Sequence, residues 1–260
     1  MDLHLSGKVA VVTGASRGIG FAITRALVEE GARVVAAARG SSAELSALGP
    51  AVRVVAADLT SSQGPQKVID EAVAAFGAID ILVNNVGSVR PRLAGFASIT
   101  DEDWVATMAS NFLSAVRTTR AALPHLLKRG TGAIVTVSSV NAFLPDPLVM
   151  DYSAAKAALT NFCKSLSKEV GPKGIRVNTV SPGPVATDLW LGKDGVASTI
   201  AGAAGGQPEA VANQVSKAMV TGRFTRPEEV AQLVLTLASD RTGNVVGADF
   251  VIDGGLITTL

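Results

Sequence analysis

The chain predicts an α/β fold, a doubly wound parallel sheet of about seven strands with helices on both faces. Three observations predict it. Short β-branched runs alternate with longer helical stretches nearly from end to end. The runs are almost continuously apolar, as strands covered on both faces must be. A glycine-rich turn joins the first run to the first helical stretch. Right-handed crossovers between parallel strands then carry the helices onto both faces.

The elements follow in order. Val9 to Thr13 reads as a buried strand, and the next stretch, Gly18 to Glu30, as a helix. Arg33 to Ala38 and Val52 to Ala56 are the second and third strands. A helix from Ser61 to Phe76 leads to a fourth strand, Ile79 to Val83. Thr100 to Lys128 carries one or two helices, and Ala133 to Val137 is the fifth strand. Tyr152 to Val170 is a long helix, Arg176 to Val180 a sixth strand, and Phe250 to Ile252 the last. No Pro- and Ser-rich linker divides the chain and no repeat is present, so residues 1–260 are expected to form one domain. Pro182 to Arg226, rich in Gly and Ala, breaks the rhythm. It is too long for an ordinary connection, which points to a lid or mobile loop at about 184–226, against the blander reading of a loosely packed helical insertion.

Composition excludes several function classes. The 260 residues carry 23 basic and 22 acidic side chains. A balance of +1 gives no pull towards nucleic acid or an anionic membrane. One cysteine, Cys163, builds no disulfide framework, and His4 and His125 cannot supply an all-histidine zinc site, so no metal is expected. No stretch approaches about 18 uninterrupted apolar residues, and the N-terminus lacks a signal-peptide core. The expectation is a soluble cytoplasmic protein.

Thr13-Gly14-Ala15-Ser16-Arg17-Gly18-Ile19-Gly20 lies between the first strand and the first helix. Glycines there permit positive φ and a close approach of phosphate to the backbone, while the helix N-terminus offers N–H donors. The same letters contain a literal G-x-S-x-G nucleophile elbow, Gly14 to Gly18. A serine hydrolase would need a histidine after the nucleophile. His125 is the only one, and it follows Pro124 in a helical stretch, which argues against that chemistry.

Ser139 ends the fifth strand, and Tyr152-x-x-x-Lys156 follows. Four residues apart on a helix, Tyr152 and Lys156 share one face. A phenol titrates near ~10, and a neighbouring ammonium favours its ionised form. Ser139 is placed to donate to a substrate carbonyl.

Together these pieces resemble the short-chain dehydrogenase/reductase family, whose members have a Rossmann fold. The match takes in the glycine turn, Asp58-Leu59, Asn84-Asn85-Val86-Gly87, Asn111, Ser139, Tyr152 with Lys156, Pro182-Gly183 with Thr187, and Gly247 with Asp253-Gly254-Gly255. Val86 stands where the family usually has Ala. Among its members, 3-oxoacyl-(acyl-carrier-protein) reductases share these motifs, which do not settle the substrate. The resemblance implies hydride transfer between a nicotinamide and a carbonyl or secondary alcohol. Tyr152 would be the general acid or base, Ser139 would polarise the oxygen, Lys156 would lower the tyrosine pKa and hold the ribose, and Asn111 would anchor a water. It also implies a nucleotide held by Gly14, Ser16, Arg17, Gly18, Ile19 and Gly20. Asp58 and Leu59 would flank the adenine, Asn85 and Gly87 the adenosine ribose, and Pro182, Gly183, Val185 and Thr187 the nicotinamide. It implies a homotetramer or homodimer paired through the long helices, with the apolar tail Leu256 to Leu260 buried in a partner.

The end of the second strand bears on the cofactor. Ala38 stands where NAD-using relatives carry Asp, and Arg39 follows it. With Arg17 in the glycine turn, this favours NADP(H), because a guanidinium pairs with a 2′-phosphate. NAD use by an alcohol dehydrogenase of this family is the alternative, and a non-catalytic NADP-binding regulator a third reading. The substrate pocket is expected to draw on Asn141, Leu144, Met150 and Trp190. Trp190 with Leu189 and Leu191 suggests an apolar substrate portion. Arg90 and Arg92 either favour an anionic substrate or are ordinary solvated charges.

Overall fold

A computed structural model describes residues 2–259 of the chain. Its strands are β1 (Val9–Thr13), β2 (Arg33–Ala38), β3 (Val52–Ala56), β4 (Ile81–Asn84), β5 (Gly132–Val137), β6 (Ile175–Pro182) and β7 (Asp249–Ile252). They form one seven-stranded sheet in the order β3-β2-β1-β4-β5-β6-β7, every neighbouring pair parallel. The helices are α1 (Gly18–Glu29), α2 (Ala43–Ser46), α3 (Gly64–Phe76), α4 (Asp101–Met108), α5 (Ser114–Arg129), α6 (Met150–Val170), α7 (Asp188–Leu191), α8 (Val196–Ala204), α9 (Pro208–Ala218) and α10 (Pro227–Ala238).

Alternation along each strand sorts its side chains into two cores. Ala10 and Val12 of β1, with Val34, Ala36, Ile81 and Val83, pack against α1 and α10 on one face. Val11, Val35, Leu82 and Ile134 pack against α3, α5 and α6 on the other. A Val or Leu buried in this way stabilises the fold by roughly 1.5–3 kcal/mol. Cys163 sits in the second core, where burial pushes its thiol up to about 11. It is a packing residue. Among the described residues, no helix is long and apolar enough to cross a membrane.

The expected strands are present, with boundaries shifted where side chains intervene. β4 starts at Ile81 because the Asp80 carboxylate accepts the Val9 N–H at 2.8 Å, ahead of the ladder. α3 starts at Gly64, after Ser61 Oγ accepts the Gly64 N–H at 3.0 Å in a turn. The expected helical stretch from Thr100 is α4 and α5, joined by a π-helical turn, Ala109–Leu113. Sequence reasoning overlooked α10, whose Val230, Ala231, Val234, Leu235 and Ala238 are all buried under the sheet. Its signal was present in Pro227 at the first helical position and Glu228 and Glu229 in the first turn.

The segment expected as a lid or loop is mostly helical, comprising α7, α8 and α9. A parallel bridge between Val185 and Thr225 closes its base. The Ala186 N–H donates to the Thr225 carbonyl at 2.8 Å and the Thr225 N–H to the Pro184 carbonyl at 3.0 Å. Trp190 meets the Phe224 ring edge-on at 5.6 Å, tying α7 to the same base. The segment is therefore a structured excursion from the carboxyl end of β6.

Candidate active site

Strand order reverses between β1 and β4, and the crevice outside the carboxyl ends of strands at such a point is where open α/β sheets take ligands. A cleft of about 760 Å³ lies there. Its wall begins with the glycine turn. Gly14 and Gly18 adopt φ of +66° and +55°, which a side chain would strain. Gly20 is required for a different reason: a Cβ there would stand 2.1 Å from the Gly14 carbonyl oxygen. Gly20 lets α1 start against the turn and lies behind the lining. No side chain caps the N-terminus of α1, and its first turn holds no acidic residue. Its N–H donors and positive dipole end face the cleft.

Asn85 fastens that turn to β4. Its Nδ2 donates to the Thr13 and Gly14 carbonyls at 3.0 and 3.3 Å, and Thr13 Oγ1 accepts the Asn85 and Val86 N–H groups. The valine at position 86 is accommodated against the second core. At the far end of β2, Ala38, Arg39, Asp58, Leu59 and Thr60 line the cleft together with Arg17 and Ser16. Thr60 donates to Asp58 through both its backbone N–H and its hydroxyl, which holds that carboxyl below the usual range, with a smaller push from Arg39. Arg17 and Arg39 are exposed, and among the described residues neither has a carboxylate within salt-bridge distance.

Ser139, Tyr152 and Lys156 converge deeper in the same cleft. Ser139 is buried at the end of β5; its Oγ donates to Asn141 Oδ1 and accepts the Asn141 N–H, both at 3.2 Å. Burial pushes the Tyr152 hydroxyl up, with Ser139 acting in the opposite direction. Burial also lowers Lys156, to about 8. Lys156 Nζ donates to the Val137 carbonyl at 2.9 Å and lies 5.7 Å from the centre of the Tyr152 ring. The expected depression of the tyrosine pKa by Lys156 is thus not what this geometry produces. Desolvation dominates.

Asn111 lies within the π-helical turn and is fully buried, outside the cleft lining. Its Oδ1 accepts the Ser88 N–H at 3.0 Å, and its Nδ2 donates to the Ser88 and Thr107 carbonyls at 2.9 and 3.1 Å. A Cβ on Gly87 would meet Asn111 Oδ1 at 3.0 Å and Lys156 Nζ at 3.5 Å, so glycine keeps the space between them open.

Pro182, Gly183, Val185 and Thr187 line the cleft beyond β6. Gly183 is held to glycine by Asp253, whose Cβ would stand 2.8 Å from an added Cβ. Asn141, Leu144 and Trp190 line it as well. Met150 does not, and the expectation for it is corrected. Two residues before Tyr152 at the start of α6, it is rotated about 200° away from it, whereas Val149, in the turn just before the helix, lines the cleft. Sequence reasoning missed Ile200 and Val215, brought in by α8 and α9, and Leu256. Leu256 is part of the tail expected to bury itself in a partner. Here the Asp253 carboxylate accepts the Gly255 and Ile257 N–H groups at 2.9 and 2.8 Å and turns the tail back onto this chain's own cleft. Leu260 lies outside the described residues.

Neither loop arginine is part of the cleft lining, and the solvated alternative describes Arg90 but not Arg92. Arg92 is buried, its Nη1 3.0 Å from Asp103 and its Nε and Nη2 donating to Asp151. Arg90 is exposed, 3.7 Å from the same Asp103.

Over residues 8–195 the sequence matches the family described as short chain dehydrogenase. The chain belongs to that family. Among short-chain dehydrogenases it is 38% identical to D-threitol dehydrogenase of Mycolicibacterium smegmatis, over 98% of this chain and 94% of the relative. It is 33% identical to 3-oxoacyl-(acyl-carrier-protein) reductase of Thermotoga maritima, over 98% and 100% of the two chains. The crystal structure of L-sorbose reductase from Gluconobacter frateurii, complexed with NADPH and L-sorbose, superposes with a TM-score of 0.91 at 34% identity, covering all of both chains. These likenesses are to oxidoreductases of carbonyl and alcohol groups.

Proposed function

We propose that this short-chain dehydrogenase is an NADP(H)-dependent ketone reductase, with Tyr152 as its general acid. The observation that carries the reading is the convergence of Ser139, Tyr152 and the buried Lys156 in one cleft with the glycine turn and two arginines.

The cleft fits a dinucleotide. The turn from Gly14 to Gly20 and the uncapped end of α1 would receive a pyrophosphate. Arg17 and Arg39 would pair with a 2′-phosphate, since no carboxylate occupies the end of β2 and a guanidinium matches phosphate with paired donors. Asp58 and Leu59 would flank the adenine, Asn85 and Gly87 the adjoining ribose, and Pro182, Gly183, Val185 and Thr187 the nicotinamide. Bound there, the nicotinamide supplies the hydride that the protein's own side chains cannot. Ser139 Oγ turns from Asn141 to donate to the carbonyl oxygen. Tyr152 gives that oxygen its proton. The Lys156 ammonium holds the ribose and stabilises the phenolate left behind, an ionisation that burial alone opposes. Asn111 and Lys156, on either side of Gly87, would share a water that restores the proton.

We read residues 1–260 as one domain, with 184–226 covering the substrate end, and as a homotetramer or homodimer of the cytoplasm paired through α5 and α6.

The test is oxidation of NADPH and of NADH against a panel of diketones, cyclic ketones, 3-oxoesters and 3-oxoacyl thioesters, with Tyr152→Phe alongside. The expected result is activity with NADPH that falls by roughly 10²–10⁴-fold in the variant. NADPH binding without turnover of any carbonyl favours a regulator, and a preference for NADH overturns the cofactor assignment.

A further inference from the structure

We propose that the substrate of this cleft is an uncharged ketone carrying an aliphatic or ring portion, and that the cleft discriminates against carboxylates and polyhydroxylated ketones. The inference rests on the reading of the cleft as a ketoreductase site and specifies its substrate.

The first argument is charge. Arg17 and Arg39 lie at the glycine-turn end of the cleft, and Lys156 at its floor. Around and beyond Ser139 and Tyr152 the charged lining residues are Asp146 and Asp188. Arg92 is 8% exposed and is consumed by Asp103 and Asp151, and Lys193, five residues after Asp188, is not part of the lining. A carboxylate entering here would give up water for two like charges and no partner.

The second argument is the state of the polar groups. Rejecting or accepting a hydroxylated ligand strongly requires side chains free to hydrogen-bond it. At this end Asn141 Nδ2 donates to the Leu144 carbonyl at 3.3 Å and Ser88 Oγ is engaged with Ser110 Oγ at 3.2 Å, and only Asn141 Oδ1 is released when Ser139 turns to the substrate. A sugar-like chain would find the Asp146 and Asp188 carboxylates as acceptors but would lay its other hydroxyls against apolar lining. That distinguishes this cleft from the polyol chemistry named for the threitol and sorbose enzymes.

The third argument is apolar surface left uncovered. Leu144 is 44%, Leu148 38% and Leu189 41% exposed at the mouth, while Trp190, Ile200 and Val215 form the wall behind them. Such a concave apolar surface marks a ligand site whose occupant removes it from water. Trp190 is braced by Phe224 and so presents a fixed wall.

The experiment is calorimetric titration with matched alcohols, product analogues that bind without turnover in the presence of NADPH. Ethyl 3-hydroxybutyrate is compared with 3-hydroxybutyrate, and cyclohexanol with a four-carbon tetrol. Each titration is run with and without NADPH, so that a failed cofactor assignment leaves the readout intact. The neutral ester is expected to bind at least about tenfold more tightly than the acid, and cyclohexanol about tenfold more tightly than the tetrol. Leu144→Ser, at a half-exposed position, should weaken the ester about threefold more than the acid. Asp146→Asn keeps the cap on the Leu148 N–H and should tighten the acid about threefold. Tighter binding of the acid or the tetrol, or no binding of the ester at millimolar concentration, overturns the proposal. Ester-selective binding without reduction of any ketone would instead sink the ketoreductase reading and leave the pocket's selectivity standing.

Discussion

Replacing Arg92 by leucine removes the cation from a buried carboxylate next to the proposed acid. Arg92 and Asp151 are 8% and 2% exposed, and two guanidinium nitrogens donate to Asp151 Oδ2, Nε at 3.1 Å. Thr107 Oγ1 donates to the same oxygen at 2.7 Å, and the Tyr152 N–H to Oδ1 at 3.0 Å. Breaking one side of a buried pair costs about 3–5 kcal/mol. The two surviving donors place this case near the lower end, about 3 kcal/mol, or roughly 6–12 °C in Tm for a chain of this size. Asp103, partly exposed, is resolvated at little cost. The pH dependence identifies the cause. Burial pushes the Asp151 carboxyl up, but Arg92 and Thr107 overcome it and hold the group below the ordinary range. That contribution is present above the unfolded pKa of about 3.9 and is lost as pH falls through the folded value. Without Arg92, burial wins and the pKa rises, so the penalty applies at neutral pH and is relieved as acid protonates Asp151. Thermal melts of wild type and Arg92→Leu should therefore differ less at about pH 4.5 than at pH 7. Adding Asp151→Leu to the variant should restore part of the stability. A loss under about 1 kcal/mol, or the same gap at both pH values, would refute the reasoning.

Two further outcomes follow from the cleft. Arg39→Asp should shift the ratio of NADPH to NADH efficiency by at least about 100-fold towards NADH, because it trades a phosphate partner for an acceptor of ribose hydroxyls and adds a repulsive charge; steady-state kinetics with both cofactors measure it, and an unchanged ratio would make Arg39 an ordinary surface charge. Lys156 titrates at about 8, so its ammonium is present at pH 7 and is lost as pH rises. NADPH affinity followed by fluorescence should therefore fall above about pH 8, by up to tenfold per unit, and Lys156→Ala should flatten that limb. Affinity constant from pH 7 to 9.5 in the wild type would contradict the role given to Lys156.

What could be read in the chain was what neighbours in sequence decide. Val9 to Thr13 is a strand because five apolar or β-branched residues in a row suit a position buried on both faces. The glycine turn is legible because positive φ and close backbone approach demand glycine at Gly14, Gly18 and Gly20 wherever the rest of the chain goes. Tyr152 and Lys156 share a side because helical spacing alone puts them there.

The tertiary structure decided whatever depends on distant partners and on water. Arg92 looks the same in sequence whether it greets an anionic substrate or neutralises Asp151; only the fold brings together two residues 59 apart and dries the space around them. Leu256 closes its own cleft because Asp253 collects two N–H groups and turns the tail. Burial pushes the Tyr152 hydroxyl up although a lysine stands one helical turn away. Backbone preference and periodicity are local and survive without the fold. Desolvation and charge pairing are not, since they exist only once the whole chain has excluded the solvent.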